Sequence, residues 1–98
     1  MAPIDPYFAP FLNPSALAER YAQLAPSLHR TPVLHSTSLD TWAGAELHFK
    51  CENFQKSGAF KMRGVTNALR ELAAQGLPAG GVCTHSSGNH GQALAWAS

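Results

Sequence analysis

Residues Asn53 to Asn67, Asn-Phe-Gln-Lys-Ser-Gly-Ala-Phe-Lys-Met-Arg-Gly-Val-Thr-Asn, hold the densest chemistry in this sequence. Lys56, Lys61 and Arg63 place three cations within eight residues. Ser57-Gly58 breaks the chain just before Lys61 and lets backbone pass close to a ligand. Lys61 is therefore expected in the first turn of a helix, where the helix dipole already disfavours a cation. Crowding of that kind, together with desolvation, favours a neutral amine, and a neutral amine is the nucleophile of Schiff-base chemistry. Most lysines are solvated, so a basic surface turn is the competing reading.

A second constellation runs from Ser86 to Gly91, Ser-Ser-Gly-Asn-His-Gly. It joins an apolar run, Gly81 to His85, to the helical pattern Gln92 to Ala97. Backbone N–H groups at such a junction bind anions, and open α/β sheets bind ligands outside the carboxyl ends of their strands. Ser86, Ser87, Asn89 and His90 add side-chain donors. The same residues are ordinary turn formers, so the loop alone decides nothing. It has neither Gly-x-Gly-x-x-Gly nor Gly-Lys-Ser/Thr, so it carries no dinucleotide fingerprint or P-loop.

The elements that must position these residues follow from periodicity. Glu46 to Glu52 alternates, with Leu47, Phe49 and Cys51 on one face, which predicts a half-buried strand. Val65, Leu69 and Leu72 predict a helix running from Lys61 to a stop at Gly76 and Pro78. Upstream, residues 1–12 read as an extended arm. Asn13-Pro14 opens a helix with Leu17, Tyr21 and Leu24 on one face, ending before Pro26. Thr31 to His35 is extended, and Ser36-Thr37-Ser38 caps a short helix that contains Leu39 and Trp42 and closes at Gly44. Strand, helix, strand, helix is the order of a parallel βαβ sheet, an α/β fold. The arm and first helix (residues 1–27) precede the α/β region proper (residues 28–98).

With 98 residues, a net charge of +1 and 13% charged residues, the composition is that of one small soluble domain. No basic stripe suggests nucleic acid, no apolar run suggests a membrane span, and Met1 to Pro6 has no secretory-signal character. Cys51 and Cys83 sit in strand-like runs and read as small buried hydrophobes of a cytoplasmic protein. The five histidines are scattered, and no Cys/His spacing resembles a zinc site.

Lys56-Ser57-Gly58-Ala59-Phe60-Lys61-Met62-Arg63-Gly64 resembles the lysine motif of fold-type II (tryptophan synthase β-like) pyridoxal-phosphate enzymes. Thr84 to Ala95 resembles the partner loop of that family. Within it the sequence is most similar to the serine racemase and serine/threonine dehydratase branch, from about Leu28 to Ser98. Thr31-Pro32-Val33-Leu34 and Phe49-Lys50-Cys51-Glu52 match as well.

The resemblance implies that Lys61 forms the Schiff base with pyridoxal 5′-phosphate and removes the substrate's α-proton. It implies that Phe60 flanks the cofactor and that Asn89 bonds its 3-hydroxyl oxygen. Ser86, Ser87, Asn89 and His90 would hold the substrate carboxylate, and Ser87 would donate a proton from the opposite face, adding racemisation to β-elimination. Ser36, Thr37, Lys56 and Ser57 match nucleotide contacts of the eukaryotic racemase, although Ser38 departs from the apolar residue found there.

The implied substrate is serine, threonine or 3-hydroxyaspartate, and the implied protein is homo-oligomeric. The phosphate cradle and any divalent-cation ligands of the family would lie beyond Ser98, so these 98 residues alone are expected to turn over little. Threonine synthase or cysteine synthase chemistry is the enzymatic alternative, and a non-catalytic anion-binding module is the other.

Overall fold

The computed structural model describes Pro6 and residues 13–98. The arm expected over residues 1–12 lies outside the described residues, apart from Pro6. Among the described residues, four α-helices and one short β-ribbon form the main elements. They are α1 (Pro14–Leu24), β1 (Val33–Leu34), α2 (Thr37–Ala43), β2 (Phe49–Lys50), α3 (Lys61–Gln75) and α4 (Asn89–Ala97).

The helix boundaries follow local chemistry. Asn13 caps α1, its side chain accepting from the N–H groups of Ser15 and Ala16 at 2.9 and 3.4 Å. Ser36 caps α2, and Gly44 ends it at φ 65°, a left-handed conformation that suits glycine. Gly76, at φ 93°, follows the last residue of α3.

A small core sits where α1, α3 and α4 meet. Leu24, Leu28, Met62, Val65 and Ala93 are buried there, with Leu69, Leu94 and Ala97 packed against them. Ala93 has no exposed surface at all, and its small side chain lets α4 approach α3 closely. Arg20 of α1 pairs with Glu71 of α3 at the surface of the same contact. The apolar face expected on α1 is only partly used: Leu24 is buried, whereas Leu17 and Tyr21 are exposed.

The sheet differs from the expected one. The alternating run Glu46 to Glu52 narrows to β2, and β2 pairs antiparallel with β1, with Val33 opposite Lys50 and Leu34 opposite Phe49. Pro32 O extends the ladder by accepting from Cys51 N–H at 3.0 Å. Upstream, the Leu47 N–H turns to Asp40 Oδ1 at 2.8 Å, and downstream Glu52 opens a 3₁₀ turn, so neither end continues as strand. Residues 81–86 form no ladder among the described residues, and no parallel pair is present there. Alternation fixes which face a side chain takes but not which strand is its neighbour. Cys83 is exposed and Cys51 only half-buried, which corrects the expectation that both are buried.

Candidate active site

The turn before α3 is held by a buried amide. Gln55 Oε1 accepts from His29 N–H at 2.9 Å and from Lys56 N–H at 3.0 Å, and Gln55 Nε2 donates to His29 O at 2.9 Å. Ser57 then adopts φ 61° and Gly58 φ 68°, two left-handed residues in succession. The glycine tolerates this, but the serine is strained. Ser57 Oγ is also buried without a hydrogen-bond partner among the described residues. Ser57→Gly is expected to raise stability by about 1 kcal/mol, read as a higher Tm of the full-length protein. An unchanged or lower Tm would show that the turn is not strained there.

After this reversal Ala59 is buried, Phe60 is exposed and Lys61 begins α3. Met62, Val65 and Thr66 take the core face of that helix, and Lys61, one turn before Val65, sits at the exposed edge of that face. Lys61 Nζ lies 5.4 Å from the Phe60 ring centroid, and no carboxylate pairs with it among the described residues. Lys61 is exposed, so the desolvation expected from its sequence context is not provided by these residues.

Arg63 is not free to crowd Lys61 either. It donates twice to Glu52, Nε to Oε2 and Nη2 to Oε1, both at 2.8 Å. Thr31 Oγ1 donates to Glu52 Oε1 at 2.5 Å. The Arg63 hydrogen bonds, opposed by burial and aided by Thr31 and the Arg63 charge, hold the Glu52 carboxyl down to about 2 from 4.5. Glu52 and Arg63 are eleven residues apart in sequence, and no local pattern marks them or Gln55 as partners. Opposite charges flanking the lysine turn were the only available clue.

The second constellation begins α4 earlier than expected. Gly88 precedes the helix with no side-chain cap, so Asn89, His90 and Gly91 form its first turn rather than a loop. The first backbone bond from this turn is Gln92 N–H to Gly88 O at 3.2 Å, which leaves the N–H groups of the three preceding residues without a helical acceptor. Ser86 Oγ accepts from Gly88 N–H at 3.2 Å. The chain passes so close here that a Cβ at Gly91 would lie 3.3 Å from Ser86 O.

A cavity of about 590 Å³ lies between the two constellations. Phe60, Lys61, Thr84 and His90 line it together with the apolar Val82 and Leu72. Phe60, Lys61 and His90 therefore meet in one cavity. Ser86, Ser87 and Asn89 are exposed and do not line it. The remaining candidates lie outside it: Ser36 Oγ caps α2, Thr37 is the first residue of that helix, and Lys56 Nζ lies 5.3 Å from the Trp96 ring centroid.

The donor set fits the aldehyde end of pyridoxal phosphate. A primary amine with no carboxylate partner among the described residues stands on the cavity wall, apolar side chains offer a surface for a ring, and His90 brings the first turn of α4 to the same wall.

The sequence profile described as pyridoxal-phosphate dependent enzyme matches residues 24–98. A serine racemase from Dictyostelium discoideum is 51% identical over 82 residues, covering 84% of this chain and 25% of that protein. A beta-hydroxyaspartate dehydratase from Paracoccus denitrificans is 49% identical over 77 residues, covering 79% and 24%. The solved structure of maize serine racemase superposes with a TM-score of 0.74 at 50% identity, covering 86% of this chain and 26% of that one. The chain thus spans about a quarter of the length of the relatives it matches.

Proposed function

The chain belongs to the family of pyridoxal-phosphate-dependent enzymes, and we propose that the full-length protein deaminates a small hydroxy amino acid to a keto acid and ammonia, racemising serine beside it. The meeting of Lys61 with His90 and the start of α4 in one cavity carries this reading. The racemase and dehydratase names of its relatives support the substrate class, namely serine, threonine or 3-hydroxyaspartate. No helix among the described residues is long and apolar enough to cross a membrane. The same reading takes the protein to be a cytoplasmic homo-oligomer.

When bound, the cofactor supplies an electron sink that makes the α-proton of an amino acid removable. The residues of this chain supply attachment, orientation and proton transfer. Lys61 Nζ would hold the cofactor and serve as the base for the α-proton. Phe60 would flank its ring, and Asn89 would donate to its 3-hydroxyl oxygen. The N–H groups that open α4, without a helical acceptor among the described residues, would hold the substrate carboxylate together with Ser86, Ser87, Asn89 and His90. Ser87 Oγ delivers a proton to the face opposite Lys61, which inverts the α-carbon. Loss of the β-hydroxyl as water, followed by hydrolysis that releases ammonia, would lead instead to the keto acid.

Ser87→Ala in the full-length protein separates the two outcomes. D-serine formation is expected to fall about 100-fold, while keto-acid formation stays within a few-fold of its original rate. Equal loss of both, or of neither, would show that Ser87 is not the second proton donor.

A further inference from the structure

We propose that His35, Glu46 and His48 form a surface site for a divalent transition-metal ion of the Zn²⁺ class, separate from the cavity that holds Lys61. Their separation in sequence hides them, and the antiparallel ribbon brings them together. Val33 faces Lys50 and Leu34 faces Phe49, so the next pair outward sets His35 opposite His48. Directly opposed residues present their side chains on one face, and Glu46, in the turn that leads into β2, reaches His48 from beside the ribbon.

The contacts follow from this register. The His35 and His48 rings stand edge to face at 79°, with centroids 4.3 Å apart. His48 Nε2 lies 3.4 Å from Glu46 Oε1, and a ligand atom from each of the three residues falls within 4.8 Å of the others. A tetrahedral ion with bonds of about 2.0–2.1 Å holds neighbouring ligand atoms roughly 3.3 Å apart. The His48–Glu46 edge already has that length, and rotation of the exposed His35 side chain closes the remaining distance. As a simple ion pair the contact contributes little, because both side chains are more than half exposed.

Hydrogen bonds hold the ribbon and the turn that leads into it. Leu47, between the two β2-side ligands, is tied to Asp40 at 2.8 Å, and Cys51 to Pro32 at 3.0 Å. A site on such a support needs only side-chain rotation to bind. Two imidazole nitrogens and one carboxylate suit zinc, copper or nickel better than magnesium or calcium. Three protein ligands leave a fourth position for water.

Calorimetric titration of the full chain with ZnCl₂, beside the double variant His35→Gln/His48→Gln, tests this directly. All three ligands are exposed, so neither protein should lose its fold. The unaltered chain is expected to bind one more equivalent of Zn²⁺ than the double variant. Glu46→Gln is expected to weaken that equivalent by about 10-fold or more. Equal stoichiometry and affinity in the unaltered chain and the double variant, or no binding by either, would overturn the proposal. Binding by thiols elsewhere appears in both proteins and cancels in the comparison.

Discussion

Lys61→Ala is expected to lower turnover of serine by the full-length protein at least ~1,000-fold, a loss of about 4 kcal/mol of transition-state stabilisation. On the proposed reading one nitrogen serves both attachment and proton removal, so its loss would disable two steps at once. Folding should survive, because Lys61 is exposed while its neighbours Ala59 and Met62 carry the packing. Circular dichroism and Tm of the cofactor-free variant should therefore match those of the cofactor-free unaltered protein. Lys61→Arg should be as inactive, since a guanidinium keeps the charge but is not a free amine. Substantial activity in Lys61→Arg would mean that the position contributes only positive charge, as an anion-binding module would require.

Glu52→Gln is expected to destabilise the full-length protein by about 2–3 kcal/mol at pH 7. The carboxylate accepts two bonds from Arg63 and one from Thr31, with its side chain only 15% exposed. Depression of its pKa from 4.5 to about 2 corresponds to about 3 kcal/mol in favour of the ionised, folded form. Because the folded value is the lower one, this stability is fully present above the unfolded value of 4.5. It is lost as pH falls toward 2. Denaturant unfolding at pH 7, 4 and 2.5 should show the two proteins converging as the acid is added. A gap that stays constant across that range would mean that Glu52 acts through shape rather than charge. The same substitution frees Arg63 in the first turn of α3, beside Lys61, so turnover should fall with stability.

What the sequence made legible was local. Asn13, Ser36, Gly44 and Gly76 mark helix ends through cap and turn chemistry that needs no distant partner, and the structure places each as expected. The Ser57-Gly58 break before a helix beginning at Lys61 is of the same kind. Pairing was not legible. Nothing in the alternation of Glu46 to Glu52 names β1 as its neighbour, and nothing in Gly81 to His85 says that it goes without one among the described residues. Leu34 and Phe49 face each other with 51% and 41% of their surface exposed, so burial was a poor guide to that ribbon.

The candidate site was half legible for the same reason. Phe60, Lys61 and His90 follow from two local motifs, and they line one cavity. The partners that steady the lysine turn come from other elements. Glu52 reaches Arg63, Thr31 reaches Glu52, and Gln55 reaches His29. Polar partners of this kind are set by tertiary folding and have no fixed spacing. Arg63 therefore read as a free cation, although the structure pairs it.

Borohydride reduction of the full-length protein with pyridoxal phosphate, followed by peptide mapping, tests the central claim most directly. The reduced cofactor is predicted on the peptide bearing Lys61, with none on that peptide in Lys61→Ala. Label on Lys50 or Lys56 in place of Lys61, or no label on a folded protein, would contradict it.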